Sequence, residues 1–292
     1  MNGTGPEKLP VLVTLGNPNT GKSTLFNALT GMRQQVGNFP GVTVEALRGE
    51  ANIGDRRVVV VDLPGTYSLA AQSPDEMVAI DVLLGRIEGV GKPDVAIVVV
   101  DANNLRRNLF LTSQILESSV PVIVALNMMD VAASNGTTID VETLSTTLGA
   151  SVIPMCASRG EGLDALHRAI DRLLRITPAE HPVIDHALRT EAKQLSSELS
   201  TNGSPLTVLE VERALIDKGG YAELRLLNRE PTLEEKLEMV RNKLGSGRNL
   251  ATLEASSRYG WINEILNSVE QRTNAETRRT DFADKVLNHP LL

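Results

Sequence analysis

One glycine-bounded segment of the sequence suits the binding of phosphate groups. It reads Gly16-Asn17-Pro18-Asn19-Thr20-Gly21-Lys22-Ser23 and continues into Thr24. An apolar run at residues 11–15 precedes it, and the residues after it have the apolar spacing of a helix. In such a loop the backbone N–H groups form an anion-binding nest, and the helix adds the positive end of its dipole. We expect a P-loop in which Lys22 reaches the outer phosphates and Ser23 offers a hydroxyl oxygen to Mg²⁺.

A second motif with phosphate chemistry follows four valines at residues 58–61. It reads Asp62-Leu63-Pro64-Gly65. At the end of a buried strand, an acid in this position holds Mg²⁺ through water, and the glycine N–H meets the γ-phosphate. Asp62 and Gly65 are therefore predicted to face the nucleotide phosphates.

The stretch at residues 31–41 is rich in Gly, Gln, Asn and Pro and predicts a mobile loop. It leads into Gly41-Val42-Thr43. Thr43 is the candidate for a second hydroxyl ligand of Mg²⁺; the alternative is an ordinary strand threonine. The residues expected to act in catalysis are Asn19, Lys22, Thr43 and Gly65.

The segment Asn127-Met128-Met129-Asp130 predicts recognition of guanine. A carboxylate at Asp130 can accept two N–H bonds from the guanine edge, whereas adenine offers no matching pair. The usual motif is N-K-x-D, and Met128 replaces the lysine with a polarizable side chain that can lie against a purine ring. Cys156-Ala157-Ser158 stands where such proteins present a backbone N–H to the guanine oxygen. We expect Cys156 to pack rather than react, because no nearby feature of the sequence activates it.

The composition narrows the class of protein. The chain has 292 residues, 41% apolar and 3% aromatic, so one large or two smaller domains are expected. A net charge of −7 without a basic patch argues against a nucleic-acid-binding protein. The single cysteine excludes an internal disulfide and suits a reducing compartment. No run of about 18 apolar residues and no signal-peptide pattern occur, so nothing in the chain is expected to span a membrane.

Strand and helix patterns alternate over the first part of the chain and predict an α/β fold. Strands are expected at residues 11–15, 42–53, 57–63, 95–101, 120–127 and 152–155, with helices at 75–87, 105–118, 141–148 and 163–174. This alternation favours a parallel sheet with helices on both faces and a ligand at the carboxyl ends of the strands, where every motif above falls.

From residue 186 onward the sequence has only helical spacing. Helices are expected at residues 187–199, 208–217, 233–244 and 250–271, and such short helices need mutual packing to be stable. We therefore expect a second, all-α domain. His181, Asp185 and His186 lie close together in sequence, but without ordered ligand spacing, so a solvated linker is favoured over a metal site.

The motif set G-N-P-N-x-G-K-S, V-G-N-F-P-G-V-T, D-L-P-G-T-Y-S-L and N-M-x-D resembles the N-terminal cytosolic region of the ferrous iron transport protein B (FeoB) family. Met128 fits that family. The resemblance implies a Ras-like P-loop GTPase domain at residues 1–176, with a mostly parallel six-stranded sheet and one antiparallel edge strand. It also implies a small helical domain, likened to a dissociation inhibitor, at 177–272, and a linker at 273–292 towards a membrane domain.

The same resemblance implies binding of GTP and GDP, GTP hydrolysis, and control of Fe²⁺ uptake at the cytoplasmic face of the bacterial inner membrane. Expected partners are the chain's own membrane domain, small cytosolic accessory proteins and further copies of the chain. A regulatory GTPase that recruits a partner, with hydrolysis as its timer, is the alternative. A ribosome- or RNA-associated GTPase is a third reading, which the acidic balance disfavours.

The resemblance also bears on how hydrolysis is catalysed. Thr66 stands where Ras-like enzymes place a water-orienting glutamine, and residues 37–44 contain no arginine. Hydrolysis is therefore expected to be slow unless another positive charge reaches the phosphates. Asn19 matches the residue that binds K⁺ in related potassium-activated GTPases, and carbonyls of Gly37 and Phe39 would complete that site. The alternative is that Asn19 only stabilises the turn.

Overall fold

Runs of valine and isoleucine form the centre of a mixed β-sheet in the computed structural model, which describes residues 9–31, 34–38, 45–71, 77–176, 181–199 and 206–272. The strands are β1 (Val11–Gly16), β2 (Gln34–Asn38), β3 (Glu45–Ile53), β4 (Arg56–Asp62), β5 (Val95–Asp101), β6 (Val122–Asn127), β7 (Thr137–Ile139), β8 (Ser151–Pro154) and β9 (Glu270–Arg272). Seven of them make one sheet in the order β2-β3-β4-β1-β5-β6-β8, and β7 pairs with β9.

The sheet is parallel except at one edge. β4, β1, β5, β6 and β8 run parallel, whereas β3 is antiparallel to β4 and β2 is antiparallel to β3. The predicted mixed sheet with an antiparallel edge is confirmed. The structure adds β2 outside β3: residues 34–38, predicted to be loop, pair with residues 45–49. Their polar and glycine-containing sequence carries no strand pattern, so this strand depends on the edge that β3 offers.

The helices are α1 (Lys22–Thr30), α2 (Met77–Leu83), α3 (Leu105–Leu116), α4 (Met129–Ser134), α5 (Val141–Leu148), α6 (Leu163–Leu173), α7 (His186–Leu199), α8 (Val208–Ile216), α9 (Tyr221–Arg229), α10 (Leu233–Gly245) and α11 (Leu250–Val269). Two of them, α4 and α9, lie where the sequence predicts no helix. With six residues α4 is too short for a clear apolar period, and the buried face of α9 consists of Ala222, Glu223 and Leu226, which make no clear apolar stripe. The strands β7 and β9 are not predicted either, because each has only three residues.

The strand side chains alternate between two cores, as the two-residue period of a strand requires. In β1, Val11, Val13 and Leu15 belong to the core beneath α2, α3 and α5, whereas Leu12 belongs to the core beneath α1 and α6. All residues of β1 are buried, which a sheet covered on both faces demands.

The C-terminal helices are joined to the sheet region by α11. A separate apolar cluster holds α7 to α10 together, around Leu195, Leu215 and Leu237. Ile262, Ile265 and Val269 of α11 instead belong to the core of the sheet. From α11 the chain enters β9, which lies antiparallel to β7, so the predicted run of helices ends on a strand.

Candidate functional site

The glycine-bounded loop joins β1 to α1, as expected of a P-loop. Asn19 (φ 66°) and Gly21 (φ 85°) adopt left-handed backbone conformations, and α1 begins at Lys22. The Thr20 hydroxyl donates to the Asn17 carbonyl oxygen at 3.0 Å, inside the loop. A methyl group at Gly21 would collide with the side-chain amide of Asn127. Gly21 therefore serves both the turn and the close approach of the two loops.

Three side chains converge on the carboxylate of Asp62 at the end of β4. The Lys22 amine donates to Oδ1 at 2.7 Å and the Thr14 hydroxyl donates to the same atom at 2.5 Å. The Ser23 hydroxyl donates to Oδ2 at 3.3 Å. The parallel register brings this about, because β1 and β4 pair Thr14 directly with Asp62. The sequence predicts Lys22, Ser23 and Asp62 at one place, and the structure puts them within hydrogen-bond distance.

The segment after Asp62 lies against the P-loop. Leu63 N–H donates to the Thr14 carbonyl oxygen at 3.1 Å, and Thr66 N–H donates to the Gly16 carbonyl oxygen at 3.2 Å. Gly65 packs so closely on Pro18 that an added Cβ would come within 3.0 Å of the Pro18 nitrogen. The segment Leu63-Pro64-Gly65 therefore lies directly beside the phosphate loop.

Asn127 ties the P-loop to the two loops predicted to read the base. Its Nδ2 amide donates to the Thr20 carbonyl oxygen at 2.9 Å, and its Oδ1 atom accepts from Ala157 N–H at 2.9 Å. The sequence predicts that the segment Cys156-Ala157-Ser158 offers a backbone N–H to a guanine oxygen. The N–H of Ala157 already donates to Asn127, so it positions the loop.

Met128 and Asp130 follow at the start of α4. Met128 takes a left-handed conformation (φ 61°), and Met129 N–H donates to the Met155 carbonyl oxygen at 3.2 Å. The Met128 methyl lies near Gly21, within 3.8 Å of the position a Cβ would take there. The chain thus turns sharply between Asn127, which faces the P-loop, and Asp130.

The Asp130 carboxylate is partly exposed and surrounded by donors. Burial works to raise its pKa, but a hydrogen bond from Cys156, backbone N–H groups at Val131 and Asp130, and the charge of Arg159 hold the pKa below its ordinary value. Cys156 is 3% exposed and its Sγ lies 3.4 Å from the Ser158 hydroxyl. This agrees with the expectation that Cys156 packs.

The structure describes the predicted site only in part. Phe39, Gly41, Val42 and Thr43 fall outside the described residues. Gly37, predicted to offer a loop carbonyl to K⁺, is a residue of β2 opposite Ala46.

Two residues of the site are missed by the sequence reasoning. Thr14 reads as a polar residue inside an apolar strand, and that interruption was the available signal. Arg159 follows the predicted base loop and is set off from Glu161 by a glycine. Opposite charges on the two sides of a loop glycine are a weak sequence signal. They indicate a role at the site only when the structure places Asp130 beside them.

The donors present fit a nucleoside phosphate with Mg²⁺. The Asn17 Nδ2 amide is buried and has no acceptor among the described residues. A carboxylate and a hydroxyl, at Asp62 and Ser23, are the hard oxygen ligands that Mg²⁺ prefers when phosphates complete its shell.

A metal site made by protein side chains alone is a separate question. In the described part of the chain, no group of three His, Cys, Asp or Glu side chains could hold a metal ion. Asp185 instead accepts from Leu188 N–H at 2.9 Å at the start of α7.

No helix within the described ranges is both long enough and apolar enough to cross a membrane.

Residues 11–170 match the family model described as ferrous iron transport protein B. The Fe(2+) transporter FeoB of Escherichia coli K12 is 38% identical over 283 residues, which cover 94% of this chain and 35% of that protein. The chain therefore spans about a third of the length of the curated relatives it matches over most of its own length.

Solved structures of FeoB cytosolic domains are also similar to this chain. The cytosolic domain of L. pneumophila FeoB is 35% identical, with a TM-score of 0.72 over 90% of this chain and 100% of that one. The cytosolic domain of the T. maritima FeoB iron transporter in a GDP form is 30% identical, with a TM-score of 0.73 over 91% of this chain and 100% of that one. The T. maritima domain is also known in a GMPPNP form. With its P-loop, Asp62 and Asn127 in place, this chain belongs to the ferrous iron transport protein B family.

Proposed function

We propose that this chain binds and hydrolyses GTP and that its nucleotide state controls passage of Fe²⁺ through a membrane domain. The observation that carries the GTPase assignment is the convergence of Lys22, Ser23 and Thr14 on Asp62, beside a P-loop that Asn127 links to the base loops. The GDP and GMPPNP forms of the T. maritima relative support a guanine nucleotide as the ligand.

The phosphates would lie in the loop at residues 16–23, where the Lys22 amine exchanges its bond to Asp62 for phosphate oxygens. Ser23, Asp62 and, from outside the described residues, Thr43 would hold Mg²⁺. That ion supplies charge neutralisation at the β- and γ-phosphates when bound. Gly65 N–H would meet the γ-phosphate, because Gly65 packs against Pro18 of the phosphate loop.

We propose that hydrolysis is slow and potassium-activated. Thr66 cannot orient water as a glutamine does, and its N–H is held by the Gly16 carbonyl oxygen. Asn19, left-handed at the tip of the P-loop, is the proposed side-chain ligand of K⁺, with carbonyls of Gly37 and Phe39. A desolvated monovalent cation there supplies positive charge to the transition state.

The route from the phosphates to the helices starts in the segment after Gly65. Leu69 N–H donates to Gln114 Oε1 at 2.7 Å, and Gln114 Nε2 donates to Glu254 Oε1 of α11 at 3.2 Å. Two residues further on, the Ala71 carbonyl oxygen accepts from Tyr221 N–H of α9 at 3.2 Å. A segment that shifts when the γ-phosphate leaves would therefore act on α9 directly and on α11 through Gln114.

We propose that the chain acts as a Ras-like domain at residues 1–176 and a helical domain at 177–272, at the cytoplasmic face of the bacterial inner membrane. Residues 273–292 would lead towards the membrane domain. The length of the curated relatives supports such a partner, and small accessory proteins or further copies of the chain are additional proposed partners.

The GTPase assignment is tested by titrating fluorescent guanine and adenine nucleotides and by following phosphate release. Guanine should be preferred by up to about 10⁴-fold, because adenine leaves Asp130 unpaired. Asp62→Asn should stop Mg²⁺-dependent hydrolysis while GDP still binds, and Asp55→Asn, exposed in the β3–β4 turn, should change neither. Equal binding of both bases would refute the assignment.

An uptake assay distinguishes control of Fe²⁺ passage from the alternative function, a partner-recruiting switch with hydrolysis as its timer. Lys22→Ala is introduced into the full-length protein and Fe²⁺ uptake is measured in cells. Loss of uptake supports control of transport by the nucleotide. Normal uptake with hydrolysis abolished favours the alternative.

A further inference from the structure

Arg159 bridges two carboxylates at the rim of the base loops. Its Nη1 donates to Asp130 Oδ2 at 2.8 Å, and its Nε and Nη2 donate to Glu161 at 2.7 and 3.1 Å. Arg159 is thus held in a two-point pairing by Glu161 and reaches Asp130 with the remaining nitrogen. The planar guanidinium group fixes the direction of all three bonds.

The loop that carries Arg159 is itself rigid. Cys156 N–H donates to the Glu161 carbonyl oxygen at 3.1 Å, and Glu161 N–H donates to the Cys156 carbonyl oxygen at 3.2 Å. This reciprocal pair closes a tight loop, and Gly160 completes the turn in a left-handed conformation (φ 72°). Arg159 is therefore anchored by its backbone and by Glu161, independently of Asp130.

Asp130 is less well fixed by its own element. It lies in the first turn of α4, which has only six residues, and its side chain is 29% exposed. A carboxylate presents both oxygens to a flat base edge in only part of its χ1 and χ2 rotation, and Cys156 and the Val131 N–H hold Asp130 from the protein side only. A donor fixed on the solvent side, as the 50% exposure of Arg159 indicates, limits that rotation.

We propose that Arg159 is a positioning residue for guanine selectivity: held by Glu161, it orients the Asp130 carboxylate so that both oxygens meet the guanine edge. The inference rests on the proposed function, in which Asp130 reads the base. The side-chain hydrogen bonds of Arg159 go to Glu161 and Asp130, not to the residues around Asp62, so we expect it to act on base choice and not on hydrolysis.

The charge of Arg159 has a second effect on the same carboxylate. Hydrogen bonding to Glu161 is the main cause that raises the pKa of Arg159, so the guanidinium stays charged beside Asp130. Asp130 faces Cys156 and Arg159, with Glu161 behind them. Removing the positive charge leaves a carboxylate that protonates more easily, and a protonated Asp130 cannot accept both guanine N–H bonds.

The test compares GTP with inosine triphosphate, which lacks the 2-amino group and so loses the second N–H bond to Asp130. Arg159→Gln should reduce the preference for GTP over inosine triphosphate by up to about fivefold, the scale of an exposed ion pair. Affinity for GTP should fall while affinity for inosine triphosphate changes little. The pH at which GDP binding fails in acid should also rise.

The matched control is Arg175→Gln. Arg175 is also 50% exposed and makes a two-point pair with Asp171, which is 30% exposed, far from the base loops. It should alter neither the nucleotide ratio nor the acid limb. Glu161→Gln, which loosens the anchor without touching Asp130, should shift the ratio in the same direction as Arg159→Gln but less.

The outcomes separate this inference from the proposed function. A wild-type chain that shows no preference for guanine removes the function. A wild-type chain that prefers guanine, together with an unchanged or higher ratio in Arg159→Gln, overturns the positioning role alone. Equal weakening of both nucleotides with an unmoved acid limb also overturns it, because a purely structural loss affects both equally.

Discussion

The carboxylates of Asp62 and Asp130 have opposite surroundings. Asp62 is buried and accepts from Lys22, Ser23 and Thr14, all of which a phosphate-bound metal would rearrange. Asp130 is partly exposed, and its donors orient it without enclosing it. The first carboxylate suits an ion and the second suits a flat hydrogen-bonding edge.

Base choice should reside in Asp130. Asp130→Asn is expected to weaken GTP binding by about 1.5–3 kcal/mol, the scale of a hydrogen bond to a charged group. Xanthosine triphosphate should then be preferred, because its second carbonyl accepts from the new amide. Both nucleotides are titrated against the variant, and an unchanged preference for GTP would remove Asp130 from the base site.

The site could be anticipated where one short segment carries its own chemistry. Local sequence motifs identify the P-loop, Asp62 and Asn127, and the structure places them together. The contacts of Thr14 and Arg159 depend on strand register and on the meeting of two loops, which no local pattern encodes. The amide of Ala157 is a similar case, since its use by Asn127 follows from tertiary geometry.

The same division holds for whole elements. Long periodic segments such as α3, α10 and β5 could be located from sequence nearly to the residue. The strands β2 and β9 could not, because they are short and polar and exist only where a neighbouring edge accepts them. The helix α9 belongs with them: it has nine residues, and Ala222 and Leu226 become buried only against its neighbours.

The P-loop as an element should respond to monovalent cations. We expect faster hydrolysis in K⁺ than in Na⁺ at equal ionic strength, because K⁺ at Asn19 would stabilise transition-state charge. Asn19→Ala should abolish the difference while leaving GDP bound. Phosphate release is measured in the two chloride salts, and equal wild-type rates would place the catalytic charge elsewhere.

The contact between α3 and α11 should carry nucleotide information. Gln114→Leu leaves Leu69 N–H and Glu254 without that partner and is expected to destabilise the fold by about 1–3 kcal/mol. It should also reduce the difference in hydrogen exchange of α11 between the GDP and GMPPNP states. Gln194→Leu, on the exposed face of α7, is the control. An unaltered difference in α11 would show that coupling runs another way.

At the scale of the whole molecule, buried charges lie where the helices meet the sheet region. Glu254 accepts from Arg213 at 2.6 Å and from Arg258 at 2.7 Å, and Arg258 also pairs with Glu117. Burial works against ionisation of Glu254, yet the two arginines lower its pKa to about 2. Such networks cost desolvation energy and add little net stability, but they permit few alternative packings.

Asp217, at the end of α8, should make stability depend on pH. Burial raises its pKa from 3.8 to about 6, against the pull of Arg213. Below about pH 4 the carboxyl is protonated in both states; between about 4 and 6 the unfolded chain ionises first, so stability falls and stays lower at neutral pH. Asp217→Asn should therefore raise stability at pH 7 by up to about 3 kcal/mol.

This gain should vanish below pH 4, and thermal unfolding of both proteins from pH 4 to 8 measures it. Asp55→Asn, at an exposed turn, should give no such pH-dependent difference. A gap between wild type and Asp217→Asn that is constant across pH would show that Asp217 is ionised in both states alike.

The pairing of β9 with β7 decides where a pull on the C-terminal end of the helical region acts. The helical region is fastened to the sheet region near its start, where Ile184 N–H donates to Glu117, and again at its end, where residues 270–272 pair with residues 137–139. Between these two ends further contacts hold the helices against the sheet region, among them the bond from Tyr221 N–H to the Ala71 carbonyl oxygen. Any pull on the chain beyond Arg272 is borne first by β7, a few residues along the chain from Asp130.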